Sequence, residues 1–293
     1  DFSWTLDNLI YYDKEFGKHS VGLTLLQSAT GYHYEESSMA AEGIPLESAK
    51  WNALSKENVS LLDEWNSGLI EKQLLSYMFR VNYDYNNKYL LTVSGRWDGA
   101  SQLAEGNKWA FFPSAALGWR LDQEEFLKDV TWLNQLKFRL GVGVTGNSAI
   151  DPYQTKGAIV SLYYPFGSAL APGYAASEPL IKDGAVAMAN KNLSWEKTTQ
   201  YNIGLDYSVL NGRISGVLDF YTSRTTDLLM AMTIPSLNGY TNTYANVGKT
   251  SNIGVDITLN TVNVKTRDFE WSTSINAAWQ KDKIDELANG KED

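Results

Sequence analysis

The chain has 293 residues, 34 acidic against 25 basic side chains, a formal charge of −9 and no cysteine. So acidic a chain lacks the basic surface that a nucleic-acid backbone demands, and without cysteine it has neither a disulfide framework nor thiolate metal ligands. No run of ~18 apolar residues occurs, which excludes a transmembrane helix but not a strand-built membrane wall, whose strands need only alternate apolar residues.

The length predicts one large domain or two ordinary ones, and 23 Gly, 17 Tyr and 10 Trp suit extended structure with aromatic anchors. Phe2 to Tyr12 reads as a first strand, followed by a turn at Asp13–Lys18. His19 to His33 is the second, with Val21, Leu23 and Leu25 on one face. From Glu35 to Gly68 the pattern dissolves. This stretch is expected to be a long connection, partly helical over Leu46 to Leu62, carrying Trp51 and Trp65.

The clearest signal starts at Leu75. Bulky apolar or aromatic residues occupy 75, 77, 79, 81, 83 and 85, with Ser76, Arg80, Asn82 and Asp84 between them. Side chains alternate faces along a strand, so this run has one greasy face and one wet face. Asn86-Asn87-Lys88 makes a tight turn, because Asn tolerates the left-handed backbone such turns need. The return strand places Tyr89, Leu91, Val93 and Trp97 opposite Thr92, Ser94, Arg96 and Asp98. Both runs outlast the ~5–6 residues usual for a strand in a soluble protein.

A polar link, 105–108, leads to a fifth strand, Trp109 to Leu121, with Ala115, Leu117 and Trp119 on one side. Gln123 to Leu133 has the three-to-four spacing of one or two helical turns. The sixth strand sets Leu136, Phe138, Leu140, Val142 and Val144 against Lys137, Arg139, Gly141, Gly143 and Thr145. After an irregular stretch, 147–192, the seventh presents Tyr201, Ile203, Leu205, Tyr207 and Val209 opposite Gln200, Asn202, Asp206 and Ser208. Asn211-Gly212 is a two-residue hairpin signal. Strand eight carries Ile214, Leu218 and Phe220 against Arg213, Ser215 and Asp219, and a loop, 228–246, follows. Strand nine has Ile253, Val255, Ile257 and Leu259 against Asp256, Thr258 and Asn260. Strand ten, from Phe269 through Trp271, Ile275, Ala277 and Trp279, comes after a turn at 265–268.

Tight and long connections alternate, only 105–108 breaking the rhythm, as in outer-membrane barrels with tight turns on the periplasmic rim. Tyr83, Tyr85, Tyr89, Trp119, Tyr207, Phe269 and Trp271 gather near the tight-turn ends, where an interfacial girdle falls. The expected fold is all-β: about ten antiparallel strands of a transmembrane β-barrel, with long extracellular loops.

The chain resembles the SusC/RagA-like TonB-dependent outer-membrane transporters of Bacteroidetes-type bacteria over most of residues 70–285. The resemblance rests on Arg80-Val81-Asn82-Tyr83-Asp84-Tyr85 with Lys88-Tyr89-Leu90-Leu91, Arg96-Trp97-Asp98-Gly99-Ala100-Ser101, and Phe112-Pro113-Ser114-Ala115 with Gly118-Trp119-Arg120. It continues through Gly143-Val144-Thr145-Gly146-Asn147, Leu193-Ser194-Trp195-Glu196-Lys197-Thr198, Asn246-Val247-Gly248-Lys249-Thr250 and Gly254-Val255-Asp256. It implies a 22-stranded barrel in the outer membrane, filled by an N-terminal plug. It also implies import of glycan oligosaccharides or peptides with energy relayed by the TonB complex, and a SusD-like surface lipoprotein as lid. The chain opens on sequence that already reads as strand and closes on a polar run. All 293 residues are expected to be barrel, with the plug and the closing C-terminal strands lying outside this segment of a longer protein.

Two sets of residues are singled out. Trp51, Trp65, Tyr163, Tyr164, Phe166, Tyr174 and Tyr240 are loop aromatics that could stack on sugar rings, contact the lid, or fold the loops onto one another. Arg80, Asp84, Arg96, Asp98, Lys137, Arg139, Asp206, Asp219 and Asp256 face the lumen. They are read chiefly as a lattice of compensating charges and secondarily as contacts for plug and substrate. His19 and His33 have no third ligand, so no metal site is predicted, nor any cofactor. Glu35-Glu36 and Asp122, Glu124 and Glu125 could be glycosidase carboxylates, but lie in turn or loop sequence and are read as solvated charge. Gly141-Val142-Gly143 sits inside a strand and is not a nucleotide loop. No nucleophile–base pair stands out, so the chain is read as a non-enzyme. Two rival readings are a soluble secreted β-rich glycan-binding module, which packs the row Tyr77, Phe79, Val81, Leu91 and Val93 beneath a second sheet, and a self-contained ten-stranded passive pore.

Overall fold

The computed structural model describes residues 1–42, 48, 60–156, 160–166, 169–175, 187–235 and 242–287. In chain order the strands are β1 (Phe2–Phe16), β2 (His19–Glu42), β3 (Ser60–Tyr85), β4 (Tyr89–Ala100), β5 (Trp109–Arg120), β6 (Leu133–Asn147), β7 (Val160–Phe166) and β8 (Ala169–Ala175). They continue with β9 (Ala187–Met188), β10 (Glu196–Val209), β11 (Ile214–Thr226), β12 (Leu229–Thr233), β13 (Asn242–Asn246), β14 (Lys249–Lys265) and β15 (Glu270–Glu286). Ten of them form one sheet in the order β1-β2-β3-β4-β5-β6-β10-β11-β14-β15. Every neighbouring pair in it is antiparallel. Among the described residues β1 and β15 pair on one side only, so the wall is open. The self-contained ten-stranded pore is not what the sheet forms.

The register sorts the side chains as the alternation predicts. Leu140, Ile203 and Phe220 lie abreast on β6, β10 and β11, as do Arg139, Gly204 and Asp219 on the opposite face. Among the described residues no second layer covers the greasy face: Tyr77 is 49% exposed and Phe79 40%, whereas the wet-facing Ser76 is 1% exposed. The soluble two-sheet module, which needs that row packed under protein, is not what the described residues form.

Two aromatic belts bound the greasy face. At the tight-turn rim, Phe16, His19, Tyr85, Tyr89 and Trp119 are direct cross-strand partners across five strands, with successive ring centroids 5.1, 4.9, 6.4 and 6.4 Å apart. The second belt is Tyr77, Trp97, Trp109 and Phe111, packed through stacked and edge-on pairs. On β3, β4 and β5 the belts sit eight residues apart, 77 to 85, 89 to 97 and 111 to 119. At ~3.3 Å per residue and a ~40° tilt this is ~20 Å of depth, near the ~25 Å apolar band of a membrane barrel.

Several elements run differently from the sequence pattern. β1 extends to Phe16, leaving only Gly17-Lys18 as the turn, with Gly17 at φ +61°. β2 continues to Glu42 and β3 begins at Ser60, so the long connection is 43–59 rather than 35–68. Most of the helix expected over 46–62 lies outside the described residues, but Ser60 to Leu62 are strand. Beyond the bilayer a strand buries neither face, so it needs no greasy period. The Asn211-Gly212 hairpin is a four-residue connection, 210–213, with Leu210, Asn211 and Gly212 all left-handed. Gln123–Leu133 contributes only a single 3₁₀ turn at Glu125–Leu127, after another at Leu121–Gln123. The stretch 147–192 is not structureless, since it holds the β7–β8 hairpin and β9.

The buried core lies at the long-loop end, on the wet side of β3–β5. Ala100, Leu103, Ala110, Phe112, Ile150, Leu193 and Trp195 form it, with Leu74, Val144, Leu229 and Tyr244 packed on it. Proline explains its position. The β5–β6 ladder stops at Ser114–Gly143, next to Pro113, which has no N–H to donate. Beyond that point the two strands overlap: the ring of the wet-facing Phe112 lies where a Cβ on Gly146, which alternation puts on the greasy side of β6, would stand 2.1 Å from it. The wall therefore divides into two leaves, β1–β5 and β6–β15, and the apolar cluster fills the space between them.

Candidate functional site

The wet face carries the polar residues singled out in the sequence, sorted into distinct environments. Arg139 on β6 reaches across β10 to two carboxylates, its Nε donating to Asp206 Oδ1 at 2.9 Å and its Nη2 to both oxygens of Asp219 at 3.1 Å. Gly204 makes the crossing possible: a Cβ there would stand 2.5 Å from Asp219 Oδ1 and 2.6 Å from Arg139 Cζ. Arg96 forms the second cluster, its Nε donating to Asp98 at 2.7 and 2.9 Å and its Nη2 to Ser76 Oγ at 2.9 Å. Asp84 caps a turn instead, accepting the Asn87 N–H at 2.7 Å. Arg80, Lys137 and Asp256 make no ion pair among the described residues, and Arg80 and Asp256 are exposed. Between the belts' depths the wall also has a recess of about 230 Å³, lined by Thr92, Ala116, Gly118, Lys137, Gly141 and Asn202.

Of the loop aromatics, Trp65 lies within β3 opposite Met39. Tyr163, Tyr164 and Phe166 are on β7 and Tyr174 on β8. All five therefore sit on strands, not irregular loop. Trp51 and Tyr240 fall outside the described residues. His19 belongs to the rim belt and bonds Tyr83 Oη at 2.7 Å, while His33 lies between Glu35 and Glu71 at 3.1 and 3.0 Å. Among the described residues no three His, Cys, Asp or Glu side chains gather as a metal site would need.

Two features escaped the sequence reading. The first is Glu124, taken for solvated charge. It accepts from Trp119 Nε1 at 2.9 Å, Tyr89 Oη at 2.8 Å and Lys88 Nζ at 3.1 Å, tying the β3–β4 turn to the β5–β6 connection. The Trp119 bond foremost, then those from Tyr89 and Lys88, holds its carboxyl below the usual range. Asp122 is engaged too: burial pushes its carboxyl up, but bonds from Gln123, the Leu136 N–H and Arg120 outweigh that and leave it lowered. The second is the sewing of the loop bases. Asn246 accepts the Ser194 N–H at 2.8 Å and donates to the carbonyls of Ser194 and Asp227 at 2.8 and 3.0 Å. Trp195 donates its indole N–H to Lys108 O at 2.9 Å, and Glu196 accepts the Leu229 N–H at 3.1 Å. The only advance signal was that these residues fall within motif blocks.

A long, two-faced antiparallel wall, girdled by aromatics on its greasy side and charge-laced on the other, is the construction of an outer-membrane β-barrel. The chain belongs to the TonB-dependent receptor-like β-barrel family, whose model matches residues 2–293, and it is an outer-membrane protein of a family of receptors and transporters. It is 39% identical over 251 residues to the TonB-dependent receptor SusC of Bacteroides thetaiotaomicron, covering 82% of this chain and 24% of that protein. It is 33% identical over 287 residues to the TonB-dependent receptor P3 of Formosa agariphila, covering 97% and 27%. A solved structure of the RagAB peptide transporter superposes with a TM-score of 0.85 at 25% identity, over 99% of this chain and 31% of that one. The chain thus spans about a quarter of the length of the curated relatives it matches.

Proposed function

We propose that this chain is part of the wall of a larger barrel that imports glycan oligosaccharides or peptides across the outer membrane. Energy reaches it from the TonB complex through a plug domain, and a SusD-like surface lipoprotein covers the outer mouth. The two-faced ten-strand wall carries the reading, since only a membrane outside and a wet path inside suit both faces at once. The free edges of β1 and β15 support closure by further strands, because long unpaired edges are aggregation sites unless something pairs them. Likeness to SusC and to a peptide transporter supports polymer-fragment cargo. A wall of Asn, Thr, Ser and paired charges suits polar cargo of either kind. No bond chemistry is assigned to the chain; selectivity belongs to the wet-face side chains and to the strand ends and hairpin beyond the bilayer that carry Trp65, Tyr163, Tyr164, Phe166 and Tyr174.

The test is uptake. Cells with and without the full-length transporter are given fluorescent oligosaccharide and peptide mixtures, in the presence and absence of a protonophore. Protonophore-sensitive accumulation that disappears with the transporter is the expected result. Equal accumulation in both strains contradicts the proposal.

A further inference from the structure

The β12–β13 hairpin leaves the wall and packs against the wet side of β3–β5. β11 and β14 lead into and out of it, yet Leu229 and Tyr244 pack on the cluster that lines β5. β11 is three strands from β5, ~14 Å along the sheet at ~4.8 Å per strand. The bend is built by two left-handed residues in the links, Asp227 at φ 57° between β11 and β12 and Gly248 at φ 83° between β13 and β14. Just inside the bend, Asn246 pins the hairpin to Ser194 through two bonds of 2.8 Å and to Asp227 through one of 3.0 Å. Ser194 is held in turn by its neighbour Trp195, which is 5% exposed, T-stacked on Phe112 at 5.3 Å and bonded to Lys108 O. β13 also pairs in parallel with β9, widening the hairpin into a three-stranded sheet.

The geometry points to this small sheet as a fixed ledge across the mouth of the lumen, with Asn246 and Trp195 as positioning residues that set the clearance through which cargo passes. The assignment rests on the reading that cargo moves along the wet face, and it adds a size-selecting element to it. Bonds to Ser194 and Glu196, at the base of β10, hold the ledge to the wall, whereas Met230 and Met188 on it are exposed. Such a shelf narrows the path by position, without binding any one cargo tightly. Met side chains suit it, because an unbranched, polarisable thioether adapts to varied surfaces.

The experiment measures clearance directly and does not depend on knowing the cargo. Gln200 is exposed on the wet face of β10, at the level of Gly143 and so below the ledge. Gln200→Cys is placed in the full-length transporter, and intact cells are treated from outside with maleimide-polyethylene glycols of increasing length. The signal is compared with the same protein lacking that cysteine. With the ledge pinned, short reagents label and long ones do not. Adding Asn246→Ala raises the length that enters, and Trp195→Phe, which keeps a ring in the cluster and loses only the N–H, raises it less. Labelling by the shortest reagent confirms that each variant has reached the membrane folded. An unchanged cut-off in both variants, with short-reagent labelling intact, overturns the ledge and leaves the transport reading to stand or fall on uptake.

Discussion

Trp119 donates its indole N–H to Glu124 Oε1 at 2.9 Å, joining a belt aromatic to a carboxylate on the tight-turn rim. The same carboxylate takes Tyr89 and Lys88, so one ionised group organises two neighbouring connections. Its folded-state pKa is depressed. The stability it contributes is therefore present above the unfolded carboxylate value and is lost as pH falls through the lower folded value.

On acidification, the wild-type protein in detergent should lose more thermal stability than Glu124→Gln, whose side chain cannot titrate. Heat-modifiability on gels, with Trp fluorescence followed in parallel from neutral pH down to mildly acidic, checks this. Equal acid sensitivity in the two proteins would show that Glu124 does not supply the pH dependence.

Arg139 and Arg80 both lie on the wet face of the wall but should respond differently to loss. Arg139→Ala strands Asp206 and Asp219 and is expected to cost ~1.5–3 kcal/mol, the range for hydrogen bonds to charged groups. Arg80→Ala, exposed and without an ion pair among the described residues, should lie within ~0.5 kcal/mol of wild type. Chemical unfolding in lipid vesicles measures both.

Gly146→Ala places a methyl against the ring of Phe112, and overpacking of this sort costs ~1–3 kcal/mol. Its expected mark is local: faster proteolytic cleavage within 101–108, whose base is tied to the same cluster through Trp195 and Leu193. Cleavage at wild-type rate would argue that the two leaves are not clamped there.

The sequence made the bilayer-spanning part legible and little above it, for a physical reason. Between the belts each strand must present apolar groups to lipid and polar ones to water, so a period of two is enforced and Leu75 to Tyr85 displays it. The tops of β2 and β3 have water on both sides, and Glu35-Glu36-Ser37-Ser38 therefore reads as loop although it is strand. The charges of the candidate site could be placed on a face by alternation, as Arg139, Asp206 and Asp219 were. Which of them pair depends on Gly204 leaving room, and no local pattern encodes that. The meeting of Phe112 with Trp195, and of Asn246 with Ser194, joins residues far apart in the chain and depends on the fold as a whole.

Lipid contact on the greasy face makes a further contrast. Ile203→Arg, abreast of Leu140 and Phe220, should destabilise by ~2–4 kcal/mol, as an Arg near the bilayer midplane does. Asn202→Arg, one residue away on the wet face, should fold and insert at wild-type yield. Insertion yield into vesicles, read by protease protection, distinguishes them.

The most direct test of the two-faced wall is a nitroxide scan. Spin labels are placed singly at 77 through 83 in the full-length protein in lipid bilayers, and each is challenged with oxygen, which partitions into lipid, and with a water-soluble nickel chelate. Oxygen access peaking at 77, 79, 81 and 83, with the nickel complex favouring 78, 80 and 82, is the predicted result. A scan without that two-residue period, or with the two reagents exchanged, would contradict the account.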